Sequence, residues 1–288
     1  MPKKTTSGKS NPLEKYFRQP KIYLKLPSGG EFYQDGTLDL PSNGEVPVYP
    51  MTAKDELTFK TPDALISGQA TVEVIKSCVP NIKDPWLMPS IDLDAVLIGI
   101  RLATYGEKMT LSVKVPGTGS DRDFEVDLRT LLDRLISAKY NDVCFYNNME
   151  VTIKPITYKE FTNNALKTFE EQKIFSLVND KTIPDEQKMD MFNKSFIKLT
   201  ALTVSLVSES IVSIKVDGEV VTDSKMIDEF MKNAEKGFYQ TVLDHITAQR
   251  EEFAIKPFKA TTSEEDQEAG APKEFDVPIT FDQSNFFA

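Results

Sequence analysis

Three times in this chain, two short runs of strand-forming residues face each other across a gap too small for a crossover helix. Residues 109–115 and 123–126 flank the polar tip Pro116-Gly117-Thr118-Gly119-Ser120-Asp121. Residues 142–146 and 150–156 meet at Asn147-Asn148, and residues 211–216 and 219–222 at Asp217-Gly218. The last dipeptide favours the positive-φ positions of a tight hairpin turn. Parallel strands need a dozen or more residues between them, so all three pairs must be antiparallel. Helical spacing fills the text between them, which predicts an α+β fold with several short hairpins.

The first expected helix covers 53–60, with Thr52 as N-cap and Asp55 and Glu56 in its first turn. After Pro62 a further turn is expected at 63–67. Next comes a helix over 69–77 with Val72, Val74 and Ile75 inward. Ser90 is positioned to cap a helix carrying Leu93, Leu97 and Ile100 on one face, and Gly106 to stop it. Residues 128–136 read as helix, and so does the region from Asp223 or Ser224 to Phe253. Two long helices, 158–178 and 185–207, have a short linker containing Pro184 and are expected to pack antiparallel.

Residues 21–26 and 45–49 read as extended, with Pro47 and Pro50 barring the second run from a sheet centre. At the other end, extended runs at 255–259 and 275–281 enclose residues 261–271, read as an acidic low-complexity loop. The expected organisation is a flexible basic arm (1–20), an N-terminal α+β domain (21–150), a mainly helical domain with a hairpin (151–254), and a C-terminal hairpin with its terminal peptide (255–288).

Composition removes several classes of function. Forty per cent apolar residues suffice for a core, and no apolar run approaches the ~20 residues of a membrane helix. A formal charge of −10 gives no bulk attraction to a phosphate backbone, so neither membrane nor direct nucleic-acid binding is expected. The basic start lacks the apolar stretch of a secretion signal, and the protein is expected to be soluble and cytosolic when made. Cys78 and Cys144 are too few for a disulfide framework and are expected to be reduced and partly buried. The arm, with Lys3, Lys4, Lys9, Lys15 and Arg18, reads either as a solvated tail or as a segment that docks on an acidic neighbour.

Catalytic signatures are missing. His245 is the single histidine, which rules out any two-histidine metal site, and no Gly-x-Ser-x-Gly elbow accompanies it. Gly8-Lys9-Ser10 copies the end of a phosphate loop, but Lys3 occupies the position of its first glycine. Gly117-Thr118-Gly119 lacks the strand–turn–helix context of a nucleotide site. Asp92 and Asp94 sit at a helix start, where carboxylates serve the dipole. Glu264, Glu265 and Asp266 lack the calcium-loop pattern and read as solvated charge. A cell-wall hydrolase would need a carboxylate pair in a cleft, and no motif supports one. No enzyme activity, cofactor or metal is expected.

Two apolar segments remain. Residues 83–89 hold the only tryptophan, Trp86, beside Leu87 and Met88; the chain ends in Phe286-Phe287-Ala288. The tryptophan could be a lid on its own core, and the phenylalanines could pack back on the chain. Alternatively these residues anchor a partner, as large apolar side chains do at interfaces.

Several strings in order carry a resemblance: Lys25-Leu26-Pro27-Ser28-Gly29-Gly30 followed by Phe32-Tyr33, then Pro50-Met51-Thr52 with Lys54-Asp55-Glu56, and Thr61-Pro62-Asp63-Ala64-Leu65. They continue with Ile98-Gly99-Ile100-Arg101-Leu102-Ala103-Thr104-Tyr105-Gly106-Glu107-Lys108-Met109 and close with Phe281-Asp282-Gln283-Ser284-Asn285-Phe286-Phe287. In these the chain resembles baseplate hub proteins of contractile-tailed, T-even-like phages. The resemblance implies a non-enzymatic structural subunit of the virion tail baseplate, assembled in the host cytoplasm, whose partners are other hub and tail-tube proteins. An assembly chaperone that leaves the particle is the alternative. Similar proteins often carry Cys-x-x-Cys pairs at two hairpin tips, here Val115-Pro116-Gly117-Thr118 and residues 261–273, and neither place holds a cysteine. The resemblance therefore implies a hairpin shaped like a zinc ribbon but without metal.

Overall fold

The computed structural model describes residues 11–61, 67–176 and 184–279. Strand β1, Ile22–Lys25, pairs antiparallel with β2, Glu45–Val48, with Pro47 opposite Tyr23. The sheet has only these two strands among the described residues, so Pro47 lies on an edge, where its missing N–H is tolerated. Helix α1, Ala53–Phe59, opens on a capping box in which Thr52 and Asp55 satisfy each other's backbone N–H. The turn expected at 63–67 lies, up to residue 66, outside the described residues. Helix α2, Gln69–Cys78, buries Val72, Val74 and Ile75.

Helix α3, Leu93–Tyr105, is the centre of the first core; every residue from Ala95 to Ala103 is buried. A helix apolar on nearly all sides belongs inside a core. The β1–β2 ribbon crosses it at Gly99, where a Cβ would stand 3.3 Å from Leu24 Cδ2. Gly106 ends the helix at φ 93°, a conformation that favours glycine. Ser90 does not cap α3. Residues Ser90–Asp92 form a 3-10 turn ahead of it, and Ser90 gives its N–H to the Ile156 carbonyl at 2.8 Å. Asp92, expected at the helix start to serve the dipole, instead anchors the chain inside the core. It is fully buried and accepts hydrogen bonds from the Ser28 N–H (2.7 Å), Ser28 Oγ (2.6 Å) and the Tyr33 hydroxyl (3.0 Å).

Strands β3, Lys108–Lys114, and β4, Asp121–Asp127, form the next hairpin; α4, Leu128–Ser137, follows directly, capped by the Asp127 carboxylate. The C-terminal hairpin joins this same core. Its strands are β9, Phe258–Thr261, and β10, Glu274–Val277, and they contribute Ala260 and Val277, with Ile279 just beyond. Phe124 packs on Phe258 and Phe275, with ring centroids 6.3 and 5.8 Å apart. The acidic run between the strands is not a solvated loop. It folds as a short helix, α9, Glu264–Glu268, capped by Ser263, and its Asp266 is buried. Arg122 donates to that carboxylate from Nε at 3.1 Å and Nη2 at 3.3 Å, and Ser120 Oγ donates at 3.2 Å. The β3–β4 tip thus meets the β9–β10 tip through an ion pair. They approach so closely that a Cβ on Gly117 would stand 2.7 Å from the Gly270 carbonyl oxygen.

The second core rests on a four-stranded antiparallel sheet in the order β5-β6-β7-β8: β5 Val143–Tyr146, β6 Met149–Ile153, β7 Ile211–Val216 and β8 Glu219–Val221. Asn147, Asp217 and Gly218 take the positive φ that the tight turns require, and Asn148 Nδ2 donates to Asp217 Oδ1 at 2.8 Å across the sheet. Helices α7, Ser224–Asn233, and α8, Lys236–Glu252, cover it with Ile227, Met231, Phe238 and Val242. Cys144 belongs to this core and Cys78 to the first; both are free and buried.

Between the adjacent strands β6 and β7 the chain makes an excursion through α5, Tyr158–Ser176, and α6, Asp185–Ser210. Thr157 and Glu160 cap α5 reciprocally. Ser195 is fully buried against the α5 backbone, donating to the Glu171 carbonyl at 3.1 Å, and Lys198 pairs with the Glu171 carboxylate at 2.9 Å. The two helices thus pack against each other, yet the distal length of α6 buries little besides Ser195.

Candidate protein–protein interface

The segment around Trp86 is fixed from within the chain. Asp84 caps a 3-10 turn over Pro85–Leu87 by accepting the Trp86 N–H at 3.1 Å. The indole stacks on the Tyr158 ring, 5.5 Å between centroids and 16° between planes. Met88, also expected to face a partner, is instead fully buried in the first core, where the apolar side chains packed around it cover it, and its carbonyl receives the Tyr158 N–H at 2.8 Å. Trp86 and Leu87 stay partly exposed. Phe286 and Phe287 lie outside the described residues.

Tyr158 also begins a stripe that sequence reading passed over. Phe161, Ala165 and Phe169 follow at helical spacing on the outer face of α5, and with Gly68, Thr162 and Leu166 they line an open groove of about 350 Å³. A Cβ on Gly68 would stand 3.0 Å from the Tyr158 hydroxyl, so the chain crosses α5 closely there. The opposite partner helix adds Met189, Phe196 and Ile197, each about 60 % exposed or more. The signal for this surface was in the sequence: α5 and α6 carry apolar residues on more than one side, more than a two-helix seam needs.

The arm's Arg18 docks on its own chain. It donates to the Pro50 carbonyl (2.5 Å), Ser77 carbonyl (2.6 Å), Ser77 Oγ (2.7 Å) and Asp55 carboxylate (3.2 Å). Leu13, Tyr16 and Phe17 just before it are exposed. Burial and the neighbouring Asp55 push the nearby Cys78 thiol up to about 12, so it holds its proton at neutral pH. His245 has a positional role: its Nε2 lies 2.9 Å from the Asn141 carbonyl, while Gln249 accepts the Asn141 N–H at 2.8 Å. Among the described residues no three His, Cys, Asp or Glu side chains gather as a metal site. No described helix is long and apolar enough to cross a membrane.

Phe161, Phe169 and Phe196 stand exposed along the inserted helical hairpin, the kind of apolar surface at which proteins often meet other molecules. The chain belongs to the T4 bacteriophage base plate protein family, whose model matches residues 19–256. It is a phage baseplate protein, a part of a multi-subunit tail structure. No curated protein and no solved structure matches it.

Proposed function

We propose that this baseplate protein is a non-enzymatic structural subunit of the hub of a contractile tail, bound to other hub and tail-tube proteins and retained in the virion. The observation that supports this reading is the aromatic ridge formed by Trp86, Phe161 and Phe169 on a baseplate-family chain. The part of this ridge left in water adds little to the fold, whereas each large side chain that a neighbour covers fully contributes up to about 1.5–3 kcal/mol to association before ordering costs. Trp86, Leu87 and the terminal Phe286 and Phe287 are the proposed anchors, with the ridge on α5 continuing the set.

Quantitative mass spectrometry of purified particles tests it. A small fixed copy number relative to tail-tube and sheath proteins is expected. Absence from particles, with the chain bound to hub proteins in infected lysate, would overturn it and assign an assembly chaperone. Replacing Phe286 and Phe287 by alanine is expected to block incorporation and leave the fold intact, read by the same count.

A further inference from the structure

An apolar space lies between the two cores. It holds about 180 Å³ and is walled by Ile91 ahead of α3, Leu206 of α6, and Leu243 and Ile246 of α8. Three backbone bonds fix the segment that floors it. Lys154 N–H donates to the Ser210 carbonyl, Ser90 N–H to the Ile156 carbonyl and Tyr158 N–H to the Met88 carbonyl, each at 2.8 Å. Tyr140 closes one side and is held edge-on by Phe32 at 5.2 Å and tilted against Phe253 at 6.1 Å. The walls are therefore preformed, which is the usual condition of a binding cavity.

Its charge is opposite to that of the molecule. The chain carries 44 acidic residues against 34 basic ones, yet the residues lining this cavity include Lys154 and Arg250 and no carboxylate. Both cations are exposed, and neither is in an ion pair among the described residues. Cavities of about 150 Å³ walled by aliphatic side chains accept a benzene ring. A space of this size with two cations at its mouth fits an aromatic side chain flanked by acids.

We propose that this cavity is a docking site for a peptide segment of a neighbouring subunit that presents a phenylalanine between carboxylates. The proposal rests on the reading of the chain as an assembly subunit. Phenylalanine fills the apolar space, while Lys154 and Arg250 hold the flanking acids at the mouth and reject a basic segment.

The test is calorimetric titration of the full chain with the peptides Gly-Glu-Phe-Asp-Gly, Gly-Lys-Phe-Lys-Gly and Gly-Glu-Ser-Asp-Gly. Saturable binding of the first is expected, with at least tenfold weaker binding of the other two. Leu243→Trp, which fills the cavity, should abolish it. The surface variant Lys154→Glu with Arg250→Glu, which leaves the core untouched, should reverse the preference towards the lysine peptide. No saturable binding, equal binding of the three peptides, or an unchanged preference in the charge-reversed variant would each overturn the proposal. Copy number in particles is read independently, so failure of the cavity and failure of the structural-subunit reading are separate results.

Discussion

Helices α3 and α6 show how differently one chain uses a helix. In α3 every residue from Ala95 to Ala103 is buried, and strands, helices and the C-terminal hairpin close around it. The α6 helix is twice as long, 26 residues against 13, yet over its distal length a seam with α5 is its main packing. Met189, Phe196 and Ile197 on it are exposed to 62 %, 60 % and 66 %, a state that contributes little to the isolated fold. Apolar content alone therefore does not distinguish core from interface; the number of elements arranged around a helix does. Substitutions in α3 should act on stability, and those on the exposed faces of α5 and α6 on assembly.

The largest effect is expected at Gly99. A Cβ there would stand 3.3 Å from Leu24 Cδ2, so the larger side chain of valine would drive the β1–β2 ribbon off α3. The expected cost is about 3 kcal/mol, in the range of overpacked cores, measured by urea unfolding. A loss below about 0.5 kcal/mol would mean that the ribbon yields and that α3 is less tightly enclosed than its burial indicates.

Asp92, just ahead of α3, should make stability depend on pH. Burial pushes its carboxyl up to about 6 against the opposing pull of the bonds from Ser28 and Tyr33. Asp94 is likewise pushed to about 6 by burial, against the Ile255 N–H that donates to it. An acid whose pKa is higher folded than unfolded binds more protons in the native state. Its contribution is therefore fully present below about pH 4 and is lost as pH rises through about 6. For Asp92, raised from the ordinary carboxylate range to about 6, the loss is about 3 kcal/mol. Urea unfolding at pH 4, 5, 6 and 7 should show this decline, and Asp92→Asn should flatten its share. A decline unchanged in that variant would place the titration elsewhere.

A smaller and more local effect is expected where the two hairpin tips meet. The bonds from Ser263 and Arg122 hold the Asp266 carboxyl below the usual range, so this contact has the opposite sign: it is present at neutral pH and lost on acidification. Arg122→Ala should speed amide exchange in α9 while leaving the exchange of α3 unchanged. Faster exchange in both would mean that the tip contact supports the whole first core.

Much of this architecture was legible in the residues. The dipeptides Asn147-Asn148 and Asp217-Gly218 placed two hairpins, Thr52 placed a helix start and Gly106 a helix stop, because each acts through bonds within a few residues. Errors arose where the deciding partner is remote. Asp92 read as a helix-start carboxylate serving the dipole because Ser28 and Tyr33, its hydrogen-bond donors, lie about sixty residues away. The acidic run around Asp266 read as loop because Arg122 lies 144 residues away, although Ser263 three residues ahead was a readable cap. The cavity between the cores was not legible, and for α5 only the excess of apolar residues was, not which face is left exposed. A helix with apolar residues on two faces does not state in its sequence which face its own chain will cover.

That ambiguity makes the outer face of the α5–α6 hairpin the place to sharpen the comparison. Phe196 and Ile197 project from α6 with most of their surface in water. Phe196→Ser with Ile197→Ser removes apolar area without opening a cavity or stranding a buried polar group, the two routes by which single changes destabilise strongly. Stability should stay within about 0.5 kcal/mol for each change, while copy number in particles should fall at least severalfold because the surface offered to a neighbour is gone. A variant that incorporates normally would leave the interface to the Trp86 side of the hairpin alone. A variant that unfolds would show that these side chains belong to the fold, and the contrast between α3 and α6 would be one of degree.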